Sequence, residues 1–106
     1  KDFIKRGGEM VSPEEVEQVL HSHPSIDEAA IIGIPDLNWG ERVRAVVVAK
    51  PGASIDESEV IEYCRSKMSS YKKPESIVIV DSLPRNPLGK VLKRVLREKY
   101  NEPITD

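Results

Sequence analysis

A chain of 106 residues, 39% of them hydrophobic, makes one small domain with a modest core, too short for separate sites for several large substrates. Its net charge of −2 gives no reason to expect nucleic acid or a membrane as main partner, and 5% aromatic content leaves no stacking platform for single-stranded RNA. One cysteine, Cys64, excludes an internal disulfide and points to a reducing, cytoplasmic setting, and no apolar run approaches the roughly 18 residues of a membrane span.

The chain opens on Lys1 rather than methionine and carries no charged-then-apolar leader, so it is expected to be a piece of a longer protein. The run DFIKRGGEMV reads as two short strands around Gly7-Gly8, because paired glycines accept positive φ without a steric penalty. SPEE follows. Ser12 is a good N-cap, Pro13 fits the first helical position and Glu15 is placed to close a capping box. Val16, Val19 and Leu20 then share one face of a helix that fades at His23-Pro24.

AAIIGI and VRAVVVA read as buried strands separated by a loop, PDLNWGER. After the turn KPGAS, Asp56 and Glu59 cap a second helix with an apolar face of Val60, Ile61, Cys64 and Met68. Tyr71-Lys72-Lys73-Pro74 ends it, and SIVIV is a third core strand. Val91, Leu92, Val95 and Leu96 form the stripe of a last helix flanked by Lys93, Arg94 and Arg97, and residues 101–106 read as a tail behind a domain of residues 1–100. The fold expected is α+β: a small sheet covered by three helices, plus a separate N-terminal two-stranded hairpin. Charge divides unevenly, with 6 Lys/Arg against 12 Asp/Glu in residues 1–59 and 10 against 6 in residues 60–106. The stretch from Arg85 to Lys99 is the cationic pole.

Several chemistries are excluded by the residues themselves. A phosphate-cradling loop needs a glycine five positions before the Gly-Lys pair and Ser or Thr after it, where this chain has Pro84 and Val91. His21 and His23 with the lone Cys64 fall short of the three or four ligands of a stable metal site, so no metal site is expected. No Ser/His/Asp or Cys/His spacing marks a nucleophile. Taken alone, Lys90 reads as a solvated lysine, Trp39 as a cap on a sheet edge and Gly7-Gly8 as a plain turn.

Three stretches in collinear order change that reading: KDFIKRGGEMVSPEEVE, IPDLNWGERVRAVVV and LPRNPLGKVLKR. Together they closely resemble the C-terminal domain of the adenylate-forming synthetases, over essentially the whole chain. The middle motif, with SYKKPESIVIV, looks most like a fatty-acyl-CoA ligase. The resemblance implies an enzyme that uses ATP and Mg2+ to convert a carboxylic acid into an acyl-adenylate, then passes the acyl group to coenzyme A. ATP, Mg2+ and acid would be bound mainly by a large N-terminal domain, the partner of this one, which rotates about a hinge mapping onto Lys1.

By the same resemblance, Lys90 is the catalytic lysine that enters for adenylation, on a loop stiffened by Pro84 and Pro87, with Gly89 allowing close backbone approach. Gly7, Gly8 and Glu9 match the segment that faces the site after rotation and leaves room for a pantetheine arm. Trp39, Tyr71 and Lys73 correspond to places where some members hold the nucleotide end of coenzyme A. In one respect the chain departs from the pattern. Pro87-Leu88 stands where many members have a small polar residue before the Gly-Lys pair, so a hydroxyl contact there is lost. Two other readings compete: a domain that loads a carrier protein, and a stand-alone binding domain without catalysis.

Overall fold

The computed structural model describes residues 3–105; the expected hinge, Lys1, lies outside them. In chain order the elements are β1 (Ile4–Arg6), β2 (Glu9–Val11), α1 (Pro13–His21), β3 (Ile26–Asp36), β4 (Gly40–Ala49), α2 (Glu57–Arg65), β5 (Ser76–Ile79) and α3 (Lys93–Lys99). The fold is α+β, as the patterning predicts.

The long β3–β4 hairpin is the spine, paired antiparallel from Ile26↔Ala49 to Asp36↔Gly40 with one irregularity between Ile26 and Glu28. Pairing therefore runs through most of the stretch expected as a loop, leaving only Leu37–Trp39 to turn. The reason lies in Asp36, whose carboxylate accepts the N–H groups of Asn38 and Trp39, both at 3.0 Å, closing a side-chain-stabilised turn just beyond Pro35. β5 lies parallel to β4 over Arg44–Val47, so the sheet is mixed. Among the described residues the β1–β2 hairpin pairs with the sheet at Arg6↔Gly40.

Alternation along β3 and β4 feeds two cores, one on each face of the sheet. Ile31, Val43, Ala45 and Val47 pack with Val16 and Leu20 of α1 and with Val60 and Cys64 of α2. Ala30, Ile32, Ile34 and Val46 pack with Leu83, Leu96 of α3 and Ile104. The segment expected as a tail is thus partly core: Ile104 is buried, Arg42 Nη1 donates to its carbonyl at 3.1 Å, and Arg44 Nη1 donates to the carbonyls of Tyr100 and Glu102 at 2.8 and 2.9 Å. Buried arginine on a strand compensates its desolvation by satisfying these carbonyls.

Two cap expectations are corrected. Ser12 does accept the Glu15 N–H, but the Glu15 carboxylate bonds Lys72 and does not close a box. Asp56 caps α2 through the Ser58 N–H, while the Glu59 carboxylate takes the His23 Nε2. Because His23 Nδ1 accepts the Ser25 N–H at 3.0 Å, Nε2 carries the proton donated to Glu59. Buried His23 is accounted for as a structural residue. No three His, Cys, Asp or Glu side chains converge among the described residues. Cys64 is buried, and burial, followed by the nearby Glu59, pushes its thiol up to about 11, which makes it a poor nucleophile.

Candidate active site

Lys90 sits on a loop whose conformation is fixed from within. Asn86 Oδ1 accepts the N–H groups of Leu88 and Lys90 at 3.0 and 2.9 Å, and the backbone closes with Asn86 N to Lys90 O and Gly89 N to Asn86 O, both 2.9 Å. The chain reverses at Gly89, whose φ is +89°, a region that side-chain-bearing residues rarely adopt. Arg85 pairs with Val91 across the base of the loop. Its guanidinium grips Gly89 O at 2.7 Å with one nitrogen and Glu28 Oε1 of β3 at 2.7 Å with another, so the loop is tied to the sheet. Pro84 contributes its carbonyl, bonded by Leu92 N at 2.9 Å, and Pro87 stands exposed at the tip.

Within this frame the Lys90 side chain is exposed, and its ammonium meets no partner among the described residues. It borders an open groove with Phe3, Ser12 and Glu14 on one side and Arg94 and Arg97 on the other. Lys93 also lines the groove, but its ammonium is bonded to Glu17, which in turn accepts the Ile31 N–H. A fixed backbone carrying a free cation toward a groove is suited to meet an anion without reorganising.

The second group of expected site residues lies around the β1–β2 turn. Gly7 and Gly8 have φ of +59° and +92°. A Cβ on Gly7 would stand 2.5 Å from the Trp39 ring, whereas one on Gly8 would meet nothing within 4 Å. Gly7 N–H donates to the Trp39 carbonyl at 2.7 Å, so Gly7, Gly8 and Trp39 come together. Glu9 is exposed beside them. Trp39 is half-exposed, with one ring face covered by the Arg6 guanidinium 4.1 Å from the ring centre.

Tyr71 belongs to a single 3₁₀ turn, Ser70–Lys72, that contacts β2; its ring is half-buried against the first core. Lys72, rather than Lys73, is held at this turn, by Glu15. Lys73 follows the turn, half-buried; its N–H donates to the Ser70 carbonyl at 3.4 Å, and its ammonium has no bonded partner among the described residues.

The sequence reading missed the residues that hold these groups in place. Asn86 was legible in principle, since Asn ahead of Pro-Leu-Gly is a turn signal. Arg85, Glu28, Arg6, Arg42 and Glu75 were not, because their partners lie 33 to 69 residues away, Arg85 and Glu28 being 57 apart.

The model of the AMP-binding enzyme C-terminal domain matches residues 15–90 of this chain. The chain belongs to that family. Among curated proteins, this AMP-binding enzyme C-terminal domain is 43% identical over 104 residues to a long-chain-fatty-acid–CoA ligase, FadD13, of Mycobacterium tuberculosis, covering 98% of the chain and 20% of that protein. It is 45% identical over 100 residues to the human mitochondrial malonate–CoA ligase ACSF3, covering 94% of the chain and 17% of that protein. Among solved structures it superposes on apo MatB from Rhodopseudomonas palustris with a TM-score of 0.92 at 43% identity, covering 96% of this chain and 20% of that one. A Mycobacterium tuberculosis fatty acyl CoA synthetase gives 0.87 at 44%, covering 93% and 20%. The chain thus spans about a fifth of the length of the relatives it matches.

Proposed function

We propose that this domain is the mobile C-terminal part of an ATP-dependent, AMP-forming acyl-CoA ligase. The observation that carries the reading is the placement of two unlike features at opposite ends of one hairpin. Phe3 and Ser12, at the open end of β1–β2, border the Lys90 groove, while Gly7 and Gly8 form its closed end. Three residues of strand separate the two ends, roughly 10 Å at about 3.3 Å per residue. One reacting centre does not touch both ends at once, which supports a domain that presents each in turn.

In adenylation the acid's carboxylate attacks the α-phosphate of ATP, pyrophosphate leaves, and negative charge builds on the non-bridging oxygens. Lys90, held by Asn86 and Arg85, supplies the cation. In the second half-reaction the thiol attacks the acyl carbonyl and AMP leaves. The Gly8 end then faces the site, and the open space over Gly8 gives a pantetheine arm passage. No carboxylate cluster among the described residues fits Mg2+, so any Mg2+ accompanying ATP is held by the nucleotide and the large domain, and no step is assigned to it on this chain.

The acid proposed is a fatty acid and the setting proposed is the cytoplasm. The first is supported by the names of the two Mycobacterium tuberculosis relatives; relatives of slightly higher identity, 45% and 48%, are named for malonate and for a bicyclic propanoate.

Single-turnover assays of the full-length enzyme test the reading. Lys90→Ala is expected to slow adenylate formation by roughly 10²–10³ and to leave thioester formation from supplied acyl-adenylate nearly unchanged. Gly8→Leu is expected to do the reverse. Equal slowing of both steps by both variants would rule out alternating faces.

A further inference from the structure

One nearly buried carboxylate joins the segments around the Gly7-Gly8 turn. Glu75, its side chain 9% exposed, accepts Arg6 Nε and Nη2 at 2.8 and 3.2 Å, Arg42 Nε at 2.9 Å and the Val43 N–H at 3.3 Å. Its own N–H donates to the Val43 carbonyl at 2.8 Å. Arg6 immediately precedes Gly7 and lies over Trp39, and the Trp39 ring fills the space a Gly7 side chain would need. Arg42 reaches onward to Asp36, the residue that closes the turn carrying Trp39.

Among the described residues the hairpin's strand pairing with the sheet is Arg6↔Gly40, with the Gly7 N–H bonded to the Trp39 carbonyl beside it and Ile4 and Val11 seated in the first core. The charged cluster adds side-chain bonds to this short ladder at the turn end of the hairpin. Arg6 is bidentate on Glu75, and a bidentate guanidinium–carboxylate pair sets orientation as well as distance. The bonds of Glu75 and Arg6 given above do not reach the Lys90 loop, which is tied to the sheet separately through Arg85 and Glu28.

We infer that Glu75 and Arg6 are positioning residues for the thiol-transfer half-reaction, holding the glycine turn and the Trp39 ring in the mutual placement that the pantetheine arm meets, with no part in adenylation. The inference rests on the two-face reading proposed above. A merely structural ion cluster would lower both half-reactions together through loss of folded enzyme. A positioning cluster separates them.

The test uses the full-length enzyme. Glu75→Gln leaves two guanidinium groups facing one neutral amide and can fail to fold, so Arg6→Met is the primary variant; it leaves Glu75 paired with Arg42 and Val43. Expected for Arg6→Met is a rise of about tenfold in the KM for coenzyme A, with ATP–pyrophosphate exchange within about twofold of the parent. Arg6→Lys should recover part of the loss, since an ammonium still lies over Trp39 while making fewer contacts to Glu75. Equal slowing of both half-reactions, an unchanged KM, or no recovery in Arg6→Lys would each overturn the inference. Lys90→Ala run in parallel separates the two claims. If it fails to slow adenylation selectively, the two-face reading itself falls; if it succeeds while Arg6→Met leaves the coenzyme A step untouched, only the role of Arg6 and Glu75 falls.

Discussion

Gly7 and Gly8 both hold positive φ, yet substitution at each should fail for a different reason. An alanine at either position pays about 1–2 kcal/mol for left-handed backbone. At Gly8 that is all, since a Cβ there meets open space. At Gly7 the added methyl would lie 2.5 Å from the Trp39 ring, so the indole must move off Arg6 and give up a cation–π contact worth about 0.5–1 kcal/mol. Gly7→Ala is therefore expected to lower stability by about 1.5–3 kcal/mol and Gly8→Ala by about 1–2, read from urea midpoints. Trp39 is the sole tryptophan of this chain, so its emission adds a second readout: it should shift in Gly7→Ala and stay put in Gly8→Ala. The pair was legible in the sequence as a turn and, by resemblance, as a thiol-facing segment. That one glycine makes room for an indole and the other for open space was not, because Trp39 lies more than thirty residues along the chain.

At the scale of elements, apolar periodicity carried the cores. β3 and β4 are buried on both faces and read as unbroken aliphatic runs; α1 and α2 show one apolar stripe each. What periodicity did not carry is how polar residues fasten elements together. Pro35, Asp36, Glu41 and Arg42 look like a loop, yet they complete the hairpin because Asp36 caps its own turn and Arg42 is drawn inward by Glu75. Residues 101–106 look like a tail, yet Arg42 and Arg44 accept the burial of their side chains in return for carbonyls of that segment. Ile104→Ala is accordingly expected to destabilise the domain by about 2 kcal/mol, the low end for a buried isoleucine at a core's margin, measurable by urea denaturation. Glu75 gives the elements a pH signature. Burial is the largest influence on it and pushes its pKa up, but bonds from Arg6, then Arg42, then the Val43 amide outweigh that and hold it below the ordinary carboxylate value. A depressed native pKa stabilises the fold above the unfolded value, near 4.3 for glutamate, and that stability is lost as pH falls through the native value. The parent should lose stability as pH is lowered past that point, and a folded Glu75→Gln variant should lose less over the same interval.

At the scale of the whole molecule, the domain has two dissimilar ends, and the groove beside Lys90 is open, which determines what it should do by itself. Its two cores close on both faces of one sheet, so the isolated chain is expected to fold. It should release no pyrophosphate with ATP and any carboxylic acid, because the groove beside Lys90 is open and both substrates are proposed to be held mainly by the large domain. Contact with coenzyme A should persist weakly at the other end. One face of Trp39 is already covered by Arg6 and Tyr71 is half-buried in the core, so the nucleotide is left with the remaining indole surface and charge contacts such as the half-buried Lys73. Such a set supports a dissociation constant of about a millimolar, near 4 kcal/mol. Titrating coenzyme A into the isolated chain should therefore move amide signals of Gly7, Gly8 and Glu9 and the emission of Trp39, while signals of Asn86 to Lys90 stay fixed. The Lys90 loop serves as the internal control, since it is the more cationic of the two ends and would respond first to nonspecific attraction of phosphates. Shifts concentrated there, or pyrophosphate release by the isolated chain, would show that the two ends do not divide the chemistry as their geometry suggests.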